Sequence, residues 1–194
     1  ENGWHYGSKF VYEIFKRLDR PALMEMSTFH HHLWIVRARL GAWDHPTRSH
    51  KKFIDMHCQA NEQVRRMFLP GQLGWWAFKT WTGPQGEPTF PDDIEYLMGK
   101  CLGTDTGFSL MGIDPSNIGT VAALPRLAAI IRRYEDLRHS GKVPDSVKAK
   151  LRVAGDEFRL VGSLEEGWHF LPVRYSRHKV TGAAGPDCAW KVTN

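Results

Sequence analysis

No apolar run in this 194-residue chain approaches the ~20 residues that cross a bilayer, so no membrane span is expected. Cysteine is scarce. Cys58, Cys101 and Cys188 are odd in number and far apart, which excludes both a disulfide framework and a zinc-finger spacing. Cys58 and Cys101 fall in helical patterns and read as small buried apolar residues. Charge of one sign is not concentrated either. The net charge of +5 is spread over Arg17, Arg20, Lys51, Lys52, Arg65, Arg66, Arg132 and Arg133. A nucleic-acid binder carries one basic patch, so no such partner is expected. No secretory leader is visible, but the chain starts at Glu1 rather than Met, which leaves the compartment open.

What is present is ordinary globular material, 42% hydrophobic and 24% charged. Its order is informative. Val11, Ile14, Phe15 and Leu18 mark one face of a helix from Ser8 to Asp19, with Ser8 as its N-cap. Pro21 ends that helix and opens an apolar strand, Ala22–Ser27, which carries Glu25. Phe29, Leu33, Val36 and Leu40 return to helical spacing, so a short helix inside a long loop is expected, stopped by Gly41.

A second helix is predicted from Arg48 to Arg66, with Phe53, Met56, His57, Ala60 and Val64 inward. Met67–Pro70 is the second candidate strand, and Gly71–Pro91 reads as a long functional loop. Asp92 and Glu95 suggest a capping box for a third helix that ends at Gly103. Phe108–Gly112 is the third strand. A helix from Thr120 to His139 follows, with Val121, Leu124, Leu127, Ile131, Tyr134 and Leu137 inward and Pro125 tolerated in its first turn. Pro144–Leu151 is a short helix beginning at its proline. Glu157–Val161 and Trp168–Val180 then alternate like strands across a turn.

Helix, short strand and polar loop, three times over, predict an α/β fold: a partial (β/α)8 TIM-type barrel of about three βα units. Residues 1–141 are assigned to the C-terminal part of that barrel. Residues 142–194 are assigned to a linker helix and the start of a β-sandwich-like domain, with the boundary at 141–155. A complete barrel needs ~250 residues, so the chain reads as a fragment.

In a barrel, chemistry gathers at the carboxyl ends of the strands. Glu25 sits near such an end. It is expected either to work as a general acid, its pKa raised by desolvation, or to lie buried against an arginine such as Arg37. Asp44, between Trp43 and His45, is the second catalytic candidate; alternatively it caps a turn and pairs with Arg48. Trp43 and His45 suit a rigid sugar platform with a polar edge. The run His30, His31, His32 cannot converge on one metal, because neighbours on a helix point about 100° apart. No metal site is therefore expected, and a pocket-facing hydrogen-bond role is assigned to His31 or His32. Trp75, Trp76, Lys79 and Trp81 form the densest aromatic run and are expected to offer stacking surfaces. Trp4, His5, Tyr6 and Asp114 are lesser candidates, Asp114 because Asp-Pro also opens turns.

Glu25 at a strand end, Arg39–Pro46, Phe68–Trp76 and the β-rich tail together resemble the second half of a glycoside-hydrolase-type (β/α)8 barrel. The resemblance implies two-carboxylate hydrolysis of a glycosidic bond, with Glu25 as one carboxyl and Asp44 or an upstream residue as the other. It implies a carbohydrate substrate and no cofactor, and leaves the oligomeric state open. The competing readings are a glycan-binding barrel without catalysis and a metal-dependent hydrolase using the histidines.

Overall fold

The structure, a computed structural model, describes residues 2–22, 24–26, 38–40, 48–62, 72–78, 88–163 and 165–176. Their order is α1 (Gly3–Lys16), β1 (Met24–Met26), β2 (Ala38–Leu40), α2 (His50–Glu62), β3 (Gln72–Ala77), α3 (Pro91–Thr104), β4 (Gly107–Met111), α4 (Leu124–Ser140), α5 (Asp145–Leu151), β5 (Phe158–Ser163) and β6 (Gly167–Pro172). The fold is α/β. Among the described residues the strands form three two-stranded sheets: β1 with β2 and β3 with β4, both parallel, and β5 with β6, antiparallel. No closed barrel is formed by these strands. No helix among them is long and apolar enough to cross a membrane.

The helix expected from Ser8 begins earlier, at Gly3, so Ser8 lies inside α1 and is not its cap. None of α1's residues is buried. Leu40, expected in a helix, belongs to β2, where it lies in register with Met26.

The buried stripe of α2 shares only His57 with the expected one. His50, Ile54, His57 and Asn61 form the buried stripe, while Met56 is 56% exposed. Polar groups can occupy a buried face when they find partners. Asn61 donates to the Gln72 carbonyl at 2.9 Å, and His50 Nδ1 lies 3.1 Å from Asp93 Oδ2.

The segment expected to be a long loop after Pro70 contains β3. Gln72, Leu73, Trp76 and Ala77 are all buried. A parallel strand covered on both faces shows no alternation to read. β3 pairs with β4 from Gln72 opposite Gly107 to Ala77 opposite Met111, with a shift between Gln72 and Trp75. That shift accommodates one extra residue on β3, and Gly74, at φ 95°, supplies the backbone such a bulge requires.

α3 connects β3 to β4 and is buried almost throughout. Ile94, Met98 and Leu102 join Leu127, Tyr134, Leu137, Leu151 and Leu160 in one apolar cluster. On another side, Leu97 and Cys101 meet Ile54, Leu73 and Trp76. A helix that is apolar on several sides is a central helix. Its N-terminus is held by Asp93, whose carboxylate accepts from Phe90 N at 2.9 Å; the expected cap, Asp92, points elsewhere. Gly103 does not stop α3, which runs on to Thr104 before Asp105 turns left-handed at φ 55°. Gly103 instead admits α5, since a Cβ there would lie 3.0 Å from Leu151 Cβ and 3.1 Å from the Lys148 carbonyl.

α4 carries Pro125 in its first turn and ends at Gly141 in the left-handed conformation, φ 65°. Pro144 precedes α5 as its N-cap rather than opening its first turn. The β5–β6 hairpin runs in register from Phe158 opposite Pro172 to Ser163 opposite Gly167. Leu151 and Leu160 share a cluster with α3 and α4, so the chain on both sides of 141–155 is packed in one core.

Candidate functional site

Parallel pairing sets the carboxyl ends of β1 and β2 side by side. Glu25 stands one residue before the end of β1, and its in-register partner on β2 is Arg39. Trp75 lies on β3 opposite Ser109. The other expected residues, His31, His32, Arg37, Trp43, Asp44, His45, Lys79 and Trp81, lie outside the described residues. Trp76 is not an open platform: it is 1% exposed, and its indole meets the His50 ring edge-on with centroids 5.6 Å apart. A flat apolar ring in a strand covered on both faces goes to the core.

Asp114, just beyond β4, is exposed and organises a turn. Its carboxylate accepts from Ser116 N at 2.7 Å and from the Ser116 hydroxyl, while its own N–H donates to Asn117 Oδ1 at 2.9 Å. The Ser116 hydroxyl and N–H hold the Asp114 carboxyl below its usual range.

A cavity among the described residues lies elsewhere. It measures about 510 Å3 and lies between the first turns of α3 and α4 and the β5–β6 hairpin. Along one edge, Lys51 Nζ reaches Asp92 Oδ2 at 2.8 Å, Glu157 Oε2 at 2.6 Å and the Tyr175 hydroxyl at 2.9 Å. Tyr175 in turn donates to Glu157 at 2.5 Å. Burial works against the Lys51 ammonium, but the bonds to Asp92, Glu157 and Tyr175 outweigh it and raise its pKa above the ordinary lysine value. Deeper in, the Tyr134 hydroxyl donates to Glu95 Oε2 at 2.6 Å, and Arg133 donates to the Leu160 carbonyl at 2.8 Å. Burial first, and the Glu95 charge second, push the Tyr134 phenol up.

A polar knot under α3 fastens the loop after α5. Tyr96 OH donates to Asp55 Oδ1 at 2.7 Å and accepts from Gly155 N at 2.9 Å. Lys100, 1% exposed, donates to the Val153 and Asp156 carbonyls and sits 4.5 Å from the Tyr96 ring centroid. Burial draws its pKa down, while Asp55, 3.9 Å away, pulls it up. With these bonds the lysine ties α3 to the loop after α5.

A second hollow of about 600 Å3, beside α2, includes Cys58, whose thiol burial pushes up to about 12. Such a thiol carries little thiolate at neutral pH. Among the described residues no three His, Cys, Asp or Glu side chains are grouped so as to hold a metal ion.

The 510 Å3 cavity was not anticipated from the sequence. The one signal it left there is on α4, where Arg126, Ala129, Ile130 and Arg133 repeat at helical spacing as a mixed basic and apolar stripe. Comparison of the chain with protein-family models, curated proteins and solved structures gave no match.

Proposed function

We propose that the chain is part of a carbohydrate-active (β/α)8 barrel enzyme that hydrolyses glycosidic bonds with a pair of carboxyl groups. The observation that carries the reading is Glu25, one residue before the carboxyl end of a parallel strand in an α/β fold. The β3–α3–β4 unit, with its parallel strands joined through a helix, supports the same architecture. In this reading Glu25 protonates the leaving oxygen, and Asp44 attacks the anomeric carbon or activates water. Trp43, His45, Trp75, Lys79 and Trp81, with His31, His32 and Arg37, surround the sugar.

The test is turnover of a panel of chromogenic glycosides by the wild-type chain and by Glu25→Gln and Asp44→Asn. A loss of about 10²–10⁴-fold in kcat in Glu25→Gln, with sugar binding retained, is expected for a general acid. Turnover that survives Glu25→Gln removes Glu25 from the mechanism. Sugar binding with no turnover in wild type would replace the enzyme by a glycan-binding barrel.

A further inference from the structure

Three carboxylates and three arginines line the cavity between α3, α4 and the hairpin. Asp92 and Glu157 share the single Lys51 ammonium, and Glu95 accepts a hydrogen bond from the neutral Tyr134 hydroxyl. Arg133 is engaged by the carbonyls of Leu160 and Gly162. Arg126 and Arg159 line the same cavity and are exposed, and their guanidinium groups make no hydrogen bond or ion pair among the described residues. The remaining wall is apolar and aromatic, with Phe90, Ile130 and Phe158 contributing. A volume of about 510 Å3 falls within the ~300–1,000 Å3 of ligand pockets, which pair an apolar lining with a few polar anchors.

We propose that this cavity binds an acidic saccharide, with its carboxylate held by Arg126 and Arg159 and its ring face laid against the apolar wall. Two guanidinium forks facing one carboxylate supply the charge-assisted, directional bonds that planar anions favour. The aromatic wall takes the apolar face of a pyranose, which a plain inorganic anion lacks. The anion is inferred from the two uncommitted guanidinium groups; the choice of a saccharide rests on the carbohydrate reading above. The site is separate from Glu25 and is read by binding, not by turnover.

The experiment is calorimetric titration of the full chain with digalacturonate, its methyl ester, and sodium sulfate. Digalacturonate is expected to bind, and the uncharged ester at least tenfold more weakly. The double variant Arg126→Gln/Arg159→Gln is expected to weaken digalacturonate binding at least tenfold, and Ala129→Trp to abolish it by filling the cavity. Both alter exposed positions, and unchanged thermal melting will show that each variant is folded. Turnover of the glycoside panel is read separately, so a failure of the catalytic reading is told apart from a failure of binding at this cavity. Equal binding of acid and ester, binding unaffected by the arginine or Ala129 changes, sulfate binding as tightly as the sugar, or no binding at all would each overturn the proposal.

Discussion

Lys51 Nζ lies 2.6 Å from Glu157 Oε2, joining the first turn of α2 to the residue before β5 across 106 positions of chain. The same ammonium serves Asp92 and Tyr175. One side chain therefore ties α2, α3 and the segment after β6 together. Lys51→Met removes all three bonds and leaves Glu157 part-buried without its cation. A loss of about 1–2 kcal/mol is expected, below the value for a fully buried pair because the groups are partly solvated. Urea unfolding checks it; an unchanged midpoint would mean the network contributes nothing to stability.

Gly103→Ala is expected to destabilise despite alanine's better helix propensity. The added Cβ would lie 3.0 Å from Leu151 Cβ, 3.1 Å from the Lys148 carbonyl and 3.2 Å from Arg152 Cγ. Overpacking of this kind costs about 1–3 kcal/mol, against a propensity gain of about 1 kcal/mol for leaving glycine. The backbone carbonyl and Leu151 Cβ cannot swing aside as a flexible side-chain end can. A lower melting temperature is expected, and a higher one would show that α5 gives way.

His57 should make the fold acid-sensitive. Burial lowers its pKa to about 4 from 6.5, with a hydrogen bond to the Leu73 backbone offsetting part of the shift. The folded chain thus holds the imidazole neutral where the unfolded chain protonates it. Stability is fully present above pH 6.5 and is lost as pH falls from there toward about 4. The separation corresponds to about 3 kcal/mol at the acid end. Urea midpoints at pH 7.5 and 4.5, in wild type and His57→Asn, isolate this contribution from the carboxylates. The variant should lose less stability on acidification than wild type; equal losses would remove His57 as the cause.

Local patterns were legible wherever a segment has one wet face and one dry one. α4, α5 and the β5–β6 hairpin follow from periodicity and turn residues, because each forms largely from contacts within a short stretch. α4 nonetheless starts at Leu124 rather than Thr120, and β6 ends at Pro172, short of the expected strand through Val180. β3 did not follow. Gln72, Leu73, Trp76 and Ala77 are buried on both faces of the strand, so its sequence shows no alternation and reads as a loop. α2 misled in part for another reason: His57 is inward as expected, but His50 and Asn61 join it in a polar stripe whose burial Asp93, Leu73 and Gln72 make tolerable.

The sites divide the same way. The sequence by itself determined an α/β chain and put Glu25 on a short apolar strand, since strand and helix signals are carried by neighbours along the chain. Only the tertiary structure decided that Trp76 is core, that Gly103 admits α5, that Lys51 joins Asp92 to Glu157, and that Glu157, Arg126 and Arg159 border one cavity. Those relationships join residues far apart in sequence through charge and packing, and no local spacing encodes them.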